Sequence, residues 1–241
     1  MRQNHSRPDR SRLMTHLACN RPPAADLAFE MRLLETGAEQ ATLFIYEWSG
    51  ATLVIGKGQV ASEIDYQTCV SEGVAVLRRE TGGTAVLHNQ TLNIGLVLPS
   101  GHGSARNIGG LYSVLGRVIS LALTRQGVSV TLAEIGDRSP TRTIICFESH
   151  SNDSLLLNGR KVFGGAQRRL RETTLVHGTL LLAVDIPQHS RVFGVQESRI
   201  EKAMTAVPDG VDRRVLTMDI IGEMAAALEL EPDVESERGM T

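Results

Sequence analysis

The chain has 241 residues, of which 41% are hydrophobic and 22% charged, a composition typical of a globular protein with a substantial core. Its 25 basic and 27 acidic side chains give a net charge of -2, which excludes a general attraction to nucleic acid or to anionic membranes. The three cysteines form neither a disulfide framework nor a CxxC metal motif, and no apolar run of about 18 residues indicates a membrane span. We therefore expect a cytoplasmic protein without a metal site.

Both ends of the chain are predicted to lie outside the folded domain. Residues 1–21 carry five arginines and no apolar stretch, so we interpret them as a flexible basic arm, with a cleaved transit-type peptide as the alternative. Residues 231–241 are polar and predict a frayed tail. No linker divides the remainder, so residues 22–230 are expected to form a single domain.

The first half of this domain mixes helix and strand patterns. Asp26 is predicted to cap a short helix, because apolar residues recur behind it at helical spacing. Two β-rich runs on either side of Ser49-Gly50 predict a hairpin. Further strands are predicted over residues 74–78, 85–88 and 92–98.

The second half begins with a predicted loop over residues 100–110 and an amphipathic helix over 111–122. Five β-rich runs then predict strands: VSVTL, TIICF, SLLL, KVFGGAQ and TLVHGTLLL. Asn158-Gly159 predicts a tight hairpin between two of them, and a last amphipathic helix is predicted over 216–228. These elements predict an α+β (mixed α/β) domain with a largely antiparallel mixed sheet and packed helices.

The stretch RRETGGTAVLHNQTLN, from Arg78 to Asn93, places polar residues at strand ends and turns, where functional groups are commonly held. Its paired glycines alone indicate only a turn. Backbone N–H groups next to two arginines can, however, hold a carboxyl, phosphate or pantetheine group. His88 is either a structural histidine or part of such a site.

A second segment carries the candidate reactive groups. Cys146 lies among apolar residues, so core packing competes with a nucleophilic role, which would need an activating neighbour. The candidate activators are Lys161, His88 and His150. Lys161 precedes a run of small residues along which a ligand can lie, although a solvated lysine on an edge strand is the alternative. His177-Gly178 is interpreted as structural or groove-lining.

Three motifs in this order resemble the lipoate and biotin cofactor transferases. RRETGGTAVLH resembles their RRxxGGGxVxH signature, and NGRKVFGGAQRR resembles their GKKxxGxAQ segment, whose lysine is here Lys161. LVHGTLLL resembles the HGTLL strand of lipoate ligases. The resemblance extends from about Ala24 to Pro208 and implies the catalytic-domain fold of biotin and lipoate-protein ligases.

Within that family the chain resembles the octanoyltransferases with a central acyl-thioester cysteine. Thr84 replaces the third glycine of the ligase signature, Asn89 replaces an acidic residue, and ICFES resembles the octanoyltransferase segment that carries the cysteine. The resemblance implies that Cys146 is the acylated cysteine and Lys161 its activating lysine. The implied substrate-binding residues are Arg78, Arg79, Gly82, Gly83, Thr84, His88, Asn93, Gly164, Gly165, Ala166, Gln167, His177 and Gly178.

The resemblance implies transfer of an octanoyl group from octanoyl-acyl carrier protein, through a Cys146 thioester, to a lysine of a lipoyl domain or glycine-cleavage H protein. No cofactor is expected for that reaction. One alternative is an ATP-dependent lipoate-protein ligase that uses ATP and Mg, with Lys161 on the acyl-phosphate. Another is a non-catalytic scaffold that binds carrier proteins, which a large separation of Cys146 from Lys161 would favour.

Overall fold

The computed structural model describes residues 11–106, 108–133, 143–150 and 154–236. Its helices are α1 (Pro23–Thr36), α2 (Tyr66–Ser71), α3 (Ile108–Arg125), α4 (Ile186–Phe193), α5 (Glu197–Ala203) and α6 (Arg213–Leu228). Its strands are β1 (Arg12–Arg21), β2 (Thr42–Trp48), β3 (Thr52–Ile55), β4 (Ala75–Arg78), β5 (Val86–His88), β6 (Thr91–Pro99), β7 (Thr131–Leu132), β8 (Leu155–Leu157), β9 (Arg160–Arg169), β10 (Thr173–Leu181) and β11 (Glu231–Ser236). In these ranges no helix is long and apolar enough to cross a membrane.

The larger sheet forms the middle layer of the fold. Within the described residues its strand order is β11-β1-β2-β6-β10-β9-β8-β7. β1 pairs in parallel with β2 and β11, and the other neighbours are antiparallel. Because side chains alternate along a strand, Leu43 and Ile45 of β2 pack with α3 and α6, whereas Phe44 and Tyr46 pack with α1 on the opposite face.

A smaller sheet, β4-β3-β5, lies under α2, α4 and α5 in a separate apolar cluster. The predicted hairpin of β2 and β3 is therefore wrong, since β2 pairs with β1 and β6 while β3 pairs with β4 and β5. The turn at Ser49-Gly50, where Gly50 has a φ of 79°, instead carries the chain from one sheet to the other.

The prediction for the two ends of the chain is also wrong in part. Arg12–Arg21, predicted as a flexible arm, form β1, and Glu231–Ser236, predicted as a frayed tail, form β11 beside it. Leu13, Thr15 and Leu17 are buried at alternate positions, a strand pattern that the neighbouring basic residues obscured. Residues 1–10 and 237–241 of the two predicted segments lie outside the described residues.

Most predicted elements between the ends are confirmed, including α3, α6, β4, β5 and β6. β8 and β9 form the predicted hairpin. Asn158 and Gly159 have φ values of 52° and 76°, as the common two-residue hairpin turn requires. The α+β class and the largely antiparallel mixed sheet are likewise confirmed.

Three local predictions are corrected by the structure. α1 begins at Pro23, so Asp26, predicted as its cap, lies in the first turn with a buried side chain. The predicted strand around Cys146 is a short 3-10 helix, Cys146–Glu148. The predicted loop before α3 contains another, Gly103–Arg106. The helices α4 and α5 were not predicted, although Asp185 caps the first by accepting a hydrogen bond from Gln188.

Candidate active site

A cavity lies where the two sheets meet. The predicted site residues that line it are Arg79, His88, Asn93, Cys146, Gly164, Gly165, Ala166, His177 and Gly178. The predicted residues outside its lining are Arg78, Gly82, Gly83, Thr84, Lys161 and Gln167. Most of the other residues that line the cavity are apolar, namely Leu27, Trp48, Val54 and Val86. The structure therefore brings the two predicted segments together at one cavity.

The turn between β4 and β5, residues 78–84, is called the glycine turn below. Gly83 has a φ of 91°, which favours glycine. Its carbonyl oxygen packs against Gly56, where an added Cβ would lie only 1.8 Å from that oxygen. The glycine turn can therefore pack this closely on the loop that follows β3 only because position 56 is a second glycine.

The two arginines of the glycine turn donate hydrogen bonds to backbone carbonyls. The buried Arg79 guanidinium donates hydrogen bonds to the carbonyls of Val54 at 3.1 Å, Gly82 at 2.8 Å and Thr84 at 2.8 Å. Arg78 donates to three carbonyls of the loop after β3, including Gly56 at 2.6 Å. Burial lowers the pKa of Arg79, and the nearby charge of the Cys146 sulfur opposes that shift. Arg79 is thus both an anchor and a cation in the cavity wall.

The backbone of Cys146 is fixed by the strand that leaves the glycine turn. Its N–H donates to the carbonyl of Ala85 at 2.9 Å, and the N–H of Ala85 donates to the carbonyl of Ile144 at 3.0 Å. Cys146 is partly exposed and lines the cavity, whereas the next side chain, Phe147, is buried. The thiol thus faces the cavity while its neighbour anchors the segment in the core.

Lys161 is buried beneath this segment instead of lying solvated on an edge strand. Its ammonium donates to the carbonyl of Ser149 at 2.8 Å and to that of Cys146 at 3.3 Å, and it stands 5.2 Å from the centre of the Phe147 ring. Its side chain runs over Gly164, where an added Cβ would lie 2.4 Å from the lysine Cε. Gly164, three residues after Lys161, therefore leaves room for the lysine side chain itself.

The two other candidate activators of Cys146 are less suitable. Burial, with the nearby positive charge of Arg79, lowers the pKa of His88 to about 3, so this ring is neutral at physiological pH. Its ring lies 4.4 Å from that of Trp48 and is hydrogen-bonded to Thr91. His150 is not among the residues that line the cavity.

His177 belongs to a buried hydrogen-bonded network at the same cavity. Its Nδ1 lies 2.7 Å from a carboxylate oxygen of Glu30, and its Nε2 lies 2.7 Å from the hydroxyl of Thr81. The other carboxylate oxygen of Glu30 accepts a hydrogen bond from Tyr46. The adjacent Gly178 is required by packing, because an added Cβ would lie 2.2 Å from the ring of Phe163.

The sequence analysis did not identify Glu30, Tyr46 or Thr81 as site residues. The spacing of Asp26, Glu30 and Leu34 was a usable signal, since it places two acidic residues on the face of α1 that carries a core leucine. All three side chains are buried. A carboxylate on such a face implies a polar partner inside the protein.

Two side-chain amides, one in the cavity wall and one outside it, each bury a polar atom that has no hydrogen-bond partner at hydrogen-bonding distance among the described residues. One is Nδ2 of Asn93, whose Oδ1 accepts from Thr179 at 3.1 Å. The other is Oε1 of Gln167, on β9. The pKa of His88 nevertheless includes the effect of a side-chain hydrogen bond with Asn93, so this amide interacts with the histidine ring. No group of three His, Cys, Asp or Glu side chains within the described residues is arranged to hold a metal ion.

Comparison with known proteins assigns the chain to a group of related enzymes. Residues 22–228 match the family described as lipoyl protein ligase A/B catalytic domain. The chain is 31% identical to octanoyltransferase LipM of Anoxybacillus flavithermus, covering 77% of this chain and 70% of that protein. It is 29% identical to octanoyltransferase LipM of Staphylococcus aureus, covering 90% of this chain and 82% of that protein.

Solved structures of related proteins share the fold. Lipoate-protein ligase A bound with ATP superposes with a TM-score of 0.76 at 21% identity, covering 93% of this chain and 89% of that one. A bipartite lipoate-protein ligase of Thermoplasma acidophilum, studied with its E2 lipoyl domain, gives a TM-score of 0.76 at 19% identity, covering 94% and 87%. At these identities the similarity establishes the architecture alone.

Proposed function

The chain belongs to the lipoyl protein ligase A/B catalytic domain family, and we propose that it is an octanoyl-[acyl carrier protein]:protein N-octanoyltransferase. Its named relatives are octanoyltransferases, so it is an enzyme of the transferase class. The observation that carries the proposal is the placement of Cys146 in the cavity wall with the buried Lys161 ammonium 3.3 Å from its carbonyl. A scaffold role is not favoured, because the two residues lie side by side.

In the first step the Cys146 sulfur attacks the acyl carbon of an octanoyl thioester. The new C–S bond forms as the bond to the carrier's pantetheine sulfur breaks, so one thioester replaces another without ATP. Arg79 and Lys161 are the cationic side chains beside Cys146: Arg79 interacts electrostatically with the sulfur that must attack, and the Lys161 ammonium donates to the carbonyl of the same residue. The apolar side chains of Leu27, Val54 and Val86 suit an alkyl chain in the cavity.

In the second step a lysine of the acceptor attacks the Cys146 thioester and forms an amide. Lys161 spends two of its three N–H donors on the carbonyls of Cys146 and Ser149, which leaves one for the oxygen that becomes negative during attack. One such donor is worth about 2.7 to 4 kcal/mol of transition-state stabilisation.

The partners follow from the proposed reaction. The donor is octanoyl-acyl carrier protein, and the acceptor is a lipoyl domain or the glycine-cleavage H protein. A related ligase was studied together with its E2 lipoyl domain, which supports an acceptor of this kind. The reaction needs no bound cofactor, whereas the ligase alternative would require ATP and Mg.

The test is to incubate the protein with octanoyl-acyl carrier protein in the absence of ATP and to measure its intact mass. The wild-type protein should gain an acyl adduct that hydroxylamine removes, and Cys146→Ser should form none, because the serine hydroxyl is a far weaker nucleophile. Cys19→Ser is the matched control, since Cys19 is another partly exposed free thiol and does not line the cavity.

Two other results would overturn this assignment. Octanoylation or lipoylation of a lipoyl domain that needs free acid and ATP, and that persists in Cys146→Ser, would identify a ligase. Carrier-protein binding without any acyl adduct or acyl transfer would identify a scaffold.

A further inference from the structure

The second step of the proposed reaction needs a group that accepts a proton. The acceptor lysine has an ordinary pKa of about 10.4, so it arrives as an ammonium ion and must lose protons to attack and form an amide. The titratable and charged side chains that line the cavity and the adjoining recess with His177 are Glu30, Tyr46, Arg78, Arg79, Glu80, His88 and Cys146. Most of them are unsuited to this task.

The arginines are already cationic, and Cys146 carries the acyl group during this step. Burial, followed by the charge of Glu30, raises the pKa of Tyr46 well above its ordinary value, so it remains protonated. The pKa of His88, at about 3, is too low to retain a proton at neutral pH. Glu80 is bonded to Lys57 and Arg168, which lower its pKa. Among the described lining residues, the pair of His177 and Glu30 is left.

The contacts of His177 suit both of its protonation states. The Glu30 carboxylate can only accept hydrogen bonds, so the Nδ1 atom 2.7 Å away carries a hydrogen. Nε2 of the neutral ring then accepts from the Thr81 hydroxyl at 2.7 Å. When Nε2 gains a proton it can donate to the same hydroxyl, which both donates and accepts, and the imidazolium is paired with the carboxylate. No side chain needs to move for the ring to take up a proton.

We propose that His177, oriented by Glu30, accepts through the Thr81 hydroxyl a proton that the acceptor lysine loses as it attacks the Cys146 thioester. This role rests on the proposed function. Glu30 is a positioning residue, because it acts through His177 and its carboxylate is enclosed by Tyr46 and the ring. Thr81 is buried and lines the recess that adjoins the cavity, where His177 contributes to both walls.

The bonds and protons of this step balance. The ammonium gives one proton to solvent, and the neutral nitrogen forms the C–N bond to the acyl carbon. The C–S bond to Cys146 then breaks, and the sulfur leaves with the electron pair as a thiolate. The second nitrogen proton passes to the Thr81 hydroxyl, whose own proton moves to Nε2 of His177. The imidazolium later releases it to solvent.

The experiment separates the two half-reactions. Wild-type and His177→Gln proteins are loaded with octanoyl-acyl carrier protein, freed of donor, mixed with excess lipoyl domain and quenched for intact-mass analysis. The variant should still load, and the loaded form should transfer about 100-fold more slowly than the loaded wild type, the usual size of a general-base effect. His16→Gln is the matched control, because His16 also pairs with a glutamate, Glu235 at 3.5 Å, away from the cavity. It should load and transfer normally.

A nucleophile that carries no proton distinguishes proton transfer from mere positioning. A small thiolate, supplied as a thiol above its own pKa, forms the new C–S bond without losing a proton, so the loaded His177→Gln protein should react with it as fast as the wild type. The wild-type transfer rate should also show a titration with pH that the variant lacks. An equal loss with lysine and the thiolate, or an unchanged pH profile, would overturn the proposal.

Thr81→Val is a second route to the same test if His177→Gln does not fold. It removes only the hydroxyl and should slow transfer to the lipoyl domain while sparing loading. Normal transfer in either variant would refute the role of His177 and leave the transferase assignment intact. A wild-type protein that never gains an adduct would refute the transferase assignment and this role together.

Discussion

The glycine turn and the segment around Cys146 meet at the cavity, but they use positive charge differently. In the glycine turn, Arg78 and Arg79 donate most of their hydrogen bonds to backbone carbonyls, so they fix the shape of the chain. At Cys146, a single lysine from β9 satisfies two carbonyls and leaves the adjacent thiol facing the cavity. The arginines of the glycine turn hold the backbone in place, and the segment around Cys146, which is bonded to that backbone, presents a thiol to the cavity.

The largest expected effect comes from removing the lysine of the second region. Lys161→Ala should lower the rate of acyl loading on Cys146 about 1000-fold, because it removes both the cation and an oxyanion donor. The measurement is the rate of adduct formation with octanoyl-acyl carrier protein, with the exposed Lys202 mutated to alanine as the control. Near-normal loading in Lys161→Ala would mean that Arg79 alone supplies the positive charge needed for loading. The two regions would then not differ in how they use positive charge.

A change in the loop that supports the glycine turn should act first on stability. Gly56→Ala places a Cβ 1.8 Å from the carbonyl oxygen of Gly83, and both groups are backbone that cannot turn aside. We expect a loss of about 3 kcal/mol in the free energy of unfolding, measured by urea denaturation. Gly58→Ala, where an added Cβ meets no atom within 4 Å, is the matched control. Equal stability of the two variants would show that the turn is not held in this way.

The smallest effect concerns His88, the histidine at the end of β5. Its pKa is about 3 in the folded protein and about 6.5 when unfolded, so below pH 6.5 the unfolded state binds more protons. Stability should therefore fall as the pH decreases from 7 to 5, with about 2 kcal/mol of that loss due to His88. Urea denaturation of His88→Gln at both pH values should show a loss smaller by that amount. An identical pH dependence would indicate that the ring is not buried in its neutral form.

Local sequence patterns predicted the centre of the fold well. The periodicity of α3 and α6, the β-rich runs of the glycine segment and the Asn158-Gly159 turn each depend on neighbours close in the chain. The errors concern long-range pairing. β1 is stable as a strand because β2 and β11 lie on either side of it, and β2 and β3 separate because each pairs with distant strands. A strand's partners are not contained in its own residues.

The candidate site likewise contains residues that sequence motifs identified and residues that only long-range packing brought in. Cys146, Lys161, Arg79 and His177 were identified from motifs, because a chemical group has to appear in the sequence in order to act. The Glu30 carboxylate and the Thr81 hydroxyl became part of the site only when α1 and the glycine turn packed against β10. Their contacts to His177 join residues 147 and 96 positions apart.

The sequence by itself determined the family and the class of the fold, and it predicted which cysteine and lysine carry the reaction. Only the tertiary structure decided that Arg78 and Arg79 anchor backbone, that Lys161 is buried against Cys146, and that His177 pairs with Glu30 whereas His88 does not. The physical reason is that burial and partners set the behaviour of a charged group. Both are properties of the packed chain, not of the residue type.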